Sequence, residues 1–85
     1  MDIQITGRFE RSFAKLTKAE MQAVQKALAL LTENPRHPSL QVKKMQGKNI
    51  WEVRSSKRLR MTFEMTGEII VMRNVGEHDK VLKRP

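Results

Sequence analysis

Apolar and polar residues follow two distinct periods along the chain. Ile3 and Ile5 alternate with Asp2, Gln4 and Thr6, the period of a short half-buried strand. After Gly7, Phe9, Phe13 and Leu16 recur at i, i+4 and i+7, which predicts a short amphipathic helix. Thr17-Lys18-Ala19-Glu20 has the form of a capping box. The threonine hydroxyl can accept from the Glu20 amide while the glutamate reaches back to the cap amide, so a second helix is expected to open here. Met21, Val24, Leu28 and Leu31, with Ala27 between them, make one apolar stripe, and Lys18, Gln22, Gln25 and Lys26 face away from it. Asn34-Pro35 ends the helix, because a residue before proline avoids the helical region. Two helices joined with almost no loop at Leu16 and Thr17 are expected to pack as a hairpin.

After Pro38 the period changes to two. Leu40 and Val42 alternate with Gln41 and Lys43, a weak strand, and Gly47-Lys48-Asn49 reads as a turn. Three longer strands are predicted over 50–54, 58–65 and 68–75, separated by Ser55-Ser56-Lys57 and by a hairpin turn around Thr66-Gly67. In the middle strand Leu59, Met61, Phe63 and Met65 point one way and Arg58, Arg60, Thr62 and Glu64 the other. Trp51 and Val53 share a face, with Glu52 and Arg54 opposite. The expected fold is therefore α+β: an N-terminal strand and a helical hairpin on one face of a three- to four-stranded, mainly antiparallel sheet. The other face is expected to be polar, carrying Glu52, Arg54, Arg58 and Arg60.

The 85 residues suffice for one domain, 1–85, with no internal repeat or linker. A domain of that size buries roughly 60–65% of the surface of its unfolded chain, so its core is small. Six methionines suit an irregular interior of this kind. Cysteine is absent, which removes disulfides and thiolate metal sites and is compatible with a reducing compartment. The longest apolar run, Ala27 to Leu31, is too short to span a bilayer, and no basic-then-apolar signal pattern opens the chain; a soluble, cytoplasmic protein with no membrane partner is expected.

Charge changes the picture more. The net charge is +8, and it is uneven: residues 1–40 carry six basic and four acidic side chains, residues 41–85 eleven and five. One sign of charge concentrated on so small a body raises the local concentration of a polyanion, RNA above all. Solubilising surface charge is the plain alternative. Arg54, Arg58 and Arg60 lie within seven residues across one hairpin, so cross-strand geometry can gather their guanidinium groups around an anion. His78 follows the last strand, where a turn can swing it over the same face. An unperturbed imidazole titrates at about 6.5, which suits proton transfer near neutrality. A turn residue beside Asp79 is the plain alternative for His78. His37, in a proline-bounded loop, reads as surface. Neither a glycine-rich phosphate loop nor zinc-ligand spacing is present, and the neighbouring Glu77, His78 and Asp79 cannot all point at one ion. No metal and no cofactor are expected.

Several motifs, in order, resemble the RelE/ParE toxin superfamily of bacterial toxin–antitoxin systems. They are Asn34-Pro35 after the helices, Lys44-Met45-Gln46-Gly47, Ile50-Trp51-Glu52-Val53-Arg54, Arg60 followed by Phe63, and Val75-Gly76-Glu77-His78-Asp79. The resemblance covers nearly the whole chain. It implies two N-terminal helices packed on an antiparallel sheet, a cognate antitoxin protein as partner, and ribosome-dependent, metal-independent cleavage of mRNA. A ParE branch of the superfamily instead inhibits DNA gyrase.

The same resemblance assigns roles. Arg60 matches a strand arginine that contacts the scissile phosphate, and His78 matches a catalytic histidine or arginine. Lys43, Lys44 and Arg54 match basic RNA-contact positions, to which the hairpin density adds Arg58. Glu52 stands where some relatives carry a lysine and others a carboxylate; as a carboxylate it would serve as the base. Relatives often place a tyrosine a few residues beyond the His78 position. This chain has no tyrosine, and Leu82 stands there. Three readings therefore stay open: an endoribonuclease toxin, a gyrase-directed or non-catalytic member of the superfamily, and a plain RNA-binding module.

Overall fold

The computed structural model describes residues 2–85. Five strands form one sheet. They are β1 (Asp2–Ile5), β2 (Lys43–Lys44), β3 (Trp51–Arg54), β4 (Leu59–Thr66) and β5 (Ile69–Glu77), in the order β1-β5-β4-β3-β2. β1 runs parallel to β5, with Ile3 beside Ile70, and every other pairing is antiparallel. The sheet is wider than the three to four strands expected because the short β1 and β2 close its two edges. Between β1 and β2 come helix α1 (Gly7–Ala14) and helix α2 (Lys18–Glu33), the predicted pair.

Both helix starts are capped by threonine. The Thr17 hydroxyl accepts from the Glu20 amide, and the Glu20 carboxylate accepts from the Thr17 amide at 2.8 Å. Thr6 caps α1 and also ties it to the sheet: its hydroxyl accepts from the Phe9 amide at 3.2 Å and donates to the Met72 carbonyl at 2.8 Å. The helices cover one sheet face. Phe9, Val24, Ala27 and Leu31 meet Val53, Met61, Phe63 and Met72 in a single buried cluster.

The weak strand expected around Leu40 and Val42 is not formed. Leu40 ends a 3-10 turn, Pro38–Leu40, and is buried in the core; Gln41 then takes a left-handed backbone at φ 46°, which breaks the alternation. His37 is structural here, its Nδ1 accepting from the Ser39 amide at 3.2 Å. The strand β4 begins one residue later than expected, leaving Arg58 in the turn 55–58.

A bulge in β5 has larger consequences. Thr62 pairs with Asn74 and Phe63 with Met72, so Arg73 is an extra residue in β5. The shift puts Met72 and Val75, three apart, both in the core. It also turns Arg73 and Asn74 together toward the far face, where the Arg73 guanidinium reaches Glu64 at 3.6 Å. Beyond the bulge β5 turns directly into a short helix, α3 (His78–Lys83), which periodicity did not predict. The helix lies on the far face. Its Val81 is buried outside the main core cluster, against Gly76. The Thr62 hydroxyl donates to the Pro85 carbonyl at 2.7 Å and the Asn74 amide to the Arg84 carbonyl at 3.0 Å. Among the described residues no helix is long and apolar enough to cross a membrane.

Candidate active site

Strand register assembles the site. Arg54 pairs with Arg60 across β3 and β4, and Arg60 pairs with Gly76 across β4 and β5. Residues directly opposite share a face, so Arg54 and Arg60 form one row that ends on a glycine. A side chain at that last position would meet Val81, since a Cβ on Gly76 would lie 3.1 Å from its methyl. The glycine thus lets α3 approach the row. One step further along β5, Glu77 pairs with Leu59, and the His78 amide donates to the Arg58 carbonyl at 2.9 Å. His78 is therefore fixed by its backbone at the same end of the sheet as the two arginines.

The two arginines differ in what holds their side chains. The Arg60 guanidinium folds back over the β3–β4 turn and donates to the carbonyls of Ser56 and Leu59 at 2.9 Å each, and to that of Lys57 at 3.4 Å. Its Nη1 is spent on the turn, which leaves the other guanidinium nitrogens for a ligand. Arg54 is half-buried, and Arg58 is exposed in the turn itself. The His78 ring is partly exposed, with Nδ1 3.2 Å from a carboxylate oxygen of Asp79. An N–H at Nδ1 pointed at Asp79 orients the ring and leaves Nε2 for a substrate proton.

The remaining expected site residues fall elsewhere. Glu52 lies on the same face but one row away, between Lys43 and Thr62 in register. It is 7% exposed, and its carboxylate sits 3.7 Å from the Lys43 ammonium. Thr62 beside it is fully buried under the C-terminal segment. The polar face is therefore roofed over at Thr62, and open at the Arg54–Arg60 end. Lys43 and Lys44 part company. Lys44 pairs with Trp51 on the helix side of the sheet, and its ammonium lies 5.7 Å from the Trp51 ring centroid, a cation–π contact. Trp51 in turn stacks on Phe63, its cross-strand neighbour, at 6.2 Å.

Sequence reasoning missed α3, and with it the roles of Gly76 and Val81. The signal was present: after Val75 the order Gly-Glu-His-Asp-Lys-Val places a glycine where β4 has its arginine. It also places the next apolar residue, Val81, six positions after Val75, which breaks the alternation of a strand.

No family model and no curated protein matches the sequence. Solved structures do match the fold. YafQ from E. coli strain BL21(DE3) superposes with a TM-score of 0.79 at 16% identity, over 94% of this chain and 96% of YafQ. In the RelB–RelE antitoxin–toxin complex from Methanococcus jannaschii the matching chain gives 0.77 at 15%, over 96% of this chain and 99% of that one. The YoeB/ParE toxin from Agrobacterium tumefaciens gives 0.74 at 13%, over 92% and 99%. The chain has the fold of these toxins along essentially its whole length.

Proposed function

We propose that this chain, folded as the RelE, YafQ and YoeB toxins are, is the toxin of a type II toxin–antitoxin pair and cuts mRNA on the ribosome. The observation that supports the proposal is the row Arg54–Arg60, two cations on one sheet face, with the His78 backbone anchored to Arg58 at the same end of the sheet. RNA supplies its own nucleophile, so its cleavage needs no metal. The 2′-oxygen bonds to phosphorus as its proton passes to solvent water, the bond from phosphorus to the 5′-oxygen breaks, and that oxygen takes a proton. The products are a 2′,3′-cyclic phosphate and a 5′-hydroxyl.

In this scheme Arg60, with Arg54 and Arg58, holds the phosphate and stabilises the charge that builds on its oxygens. His78, oriented by Asp79, donates the proton to the leaving oxygen. Glu52, buried and paired with Lys43, fits a structural role better than that of the base. Lys43 lies on the site's face and suits RNA contact, whereas Lys44 is engaged by Trp51 on the other. The cognate antitoxin is the partner that this role requires.

One observation favours a second reading. With Glu52 buried and Leu82 in place of the tyrosine its relatives carry, the site has fewer proton-transfer groups than a nuclease of this type uses. A gyrase-directed or non-catalytic member would grip its target with the same cations. Induced expression followed by mapping of mRNA ends decides between them. New ends within translated frames in the wild type, reduced at least about a hundredfold by Arg60→Ala and by His78→Ala, support the nuclease. Ends unchanged in both variants would sink it, and DNA-damage signalling without cleavage would favour the gyrase reading.

A further inference from the structure

A cleft of about 360 Å³ opens at the end of β3, between α2 and the β3–β4 turn. Its floor is apolar, made by Ala27 and Leu40, both buried, with Leu30 beside them. Exposed lysines, Lys26 from α2 and Lys57 from the turn, stand at its rim with Arg54, and no carboxylate lines it. Ser55 also lines it. The Ser55 hydroxyl oxygen is buried and has no hydrogen-bond partner among the described residues. Buried hydroxyls are nearly always satisfied, so one left without a partner beside a cleft calls for a donor or acceptor from outside the chain. An apolar floor, one convergent hydroxyl and a cationic rim make a chemically defined set. The volume is at the small end of the roughly 300–1,000 Å³ range of ligand pockets, the size for one planar heterocycle and little more.

The turn that walls this cleft is the one Arg60 fastens, through the carbonyls of Ser56 and Lys57. One four-residue turn therefore carries the cleft on one side and the phosphate-binding arginine on the other.

We propose that this cleft is a nucleotide subsite for single-stranded RNA. It receives one unpaired base on the Ala27–Leu40 floor, the Ser55 hydroxyl bonds an edge of that base, and Lys26 and Lys57 hold its phosphate. The assignment rests on the reading of the Arg54–Arg60 row as a phosphate site, but it does not require cleavage. Base–surface contacts of this kind tolerate many sequences, while a single hydroxyl to the base edge gives a modest preference.

Amide chemical shifts of the isotope-labelled full chain test it, with nucleoside 5′-monophosphates as probes and inorganic phosphate as the parallel arm. The nucleotides are expected to shift the Ala27, Leu40 and Ser55 amides in a saturable way that phosphate alone does not reproduce. Ala23→Leu, which fills the cleft from the half-exposed side of α2, should weaken that binding by at least about tenfold with the rest of the spectrum unchanged. Ser55→Ala should reduce the spread of affinities among the four nucleotides. Identical shifts with phosphate alone, or unaltered binding by Ala23→Leu, overturn the subsite. The two readings separate cleanly. Saturable shifts in a protein that cuts no mRNA support the subsite and sink the nuclease, and cleavage without shifts does the reverse.

Discussion

Arg54 and Arg60 face each other directly across β3 and β4, and Arg60 alone of the two is tied down, through carbonyls of the turn that joins the strands. Like charges directly opposite on a sheet cost a few tenths of a kcal/mol to about 1 kcal/mol when nothing lies between them. The fold accepts this cost at one end of the sheet, and a bound phosphate would relieve it.

The two arginines should therefore respond differently to neutralisation. Arg54→Gln removes repulsion and breaks no side-chain hydrogen bond among the described residues, so its urea midpoint should stay at or slightly above that of the wild type. Arg60→Gln also loses the donors to Ser56 and Leu59 and should be destabilised by about 1 kcal/mol. Both should bind RNA more weakly. Equal midpoints for the two variants would show that Arg60 does not hold the turn.

Salt dependence separates the lysines. Affinity for single-stranded RNA should fall with salt, with a log–log slope of about −0.7 per phosphate contacted. Arg54→Gln should make the slope shallower by about one such unit. Lys44→Gln, altered on the opposite side of the sheet where its ammonium sits over Trp51, should leave the slope as it was. A shallower slope for Lys44→Gln would mean that RNA also runs past Trp51. Lys43→Gln has a stability effect of its own, because it strips the buried Glu52 of its ion partner. Pairing it with Glu52→Gln should recover most of the lost midpoint.

The two halves of the chain differed in how far sequence alone revealed them. Capping boxes and a helical stripe are local, so the α1–α2 pair could be read from Thr17, Glu20 and the spacing of Val24, Ala27 and Leu31. Arg54, Arg60 and Gly76 could be placed on one row only once the register was known. Period two predicted the first pair, but the bulge at Arg73 lies between Val75 and the phase that Ile70 and Met72 set. The burial of Thr62 was invisible because its cover, the segment ending at Pro85, arrives from the far end of the sequence. That Lys43 and Lys44 lie on opposite faces was not legible for a simpler reason. Neighbours in a strand point to opposite faces, and a two-residue strand has no pattern to reveal itself.

Capping energies should also be unequal. Thr17→Ala removes a cap at an exposed helix start and should cost about 1 kcal/mol. Thr6→Ala removes a cap and a bond to the Met72 carbonyl of β5, and should cost about 2 kcal/mol. In a domain of this size 1 kcal/mol moves the melting temperature by roughly 4–8 °C, so calorimetry resolves the difference. Equal shifts would mean that the Thr6 bond to β5 contributes nothing.

The position of His78 depends on a contact remote from its ring. Its backbone is held from one side by Arg58, and the helix it opens is held on the sheet by Val81 against Gly76. Gly76→Ala places a methyl 3.1 Å from the Val81 side chain, inside ordinary contact, so α3 must lift by a few tenths of an ångström or repack. The expected outcome is a cost of about 1–3 kcal/mol and loss of RNA cleavage out of proportion to it, because a small displacement of the imidazole is felt directly in the proton transfer. Val81→Ala makes room for the added methyl. By itself it opens a small cavity and should lower stability, yet combined with Gly76→Ala it should restore cleavage above the level of Gly76→Ala. Such a recovery in a double-mutant cycle is a positive coupling between two residues that touch neither substrate nor each other's backbone partners. Additive losses would mean that the glycine serves the strand alone and that α3 docks without it.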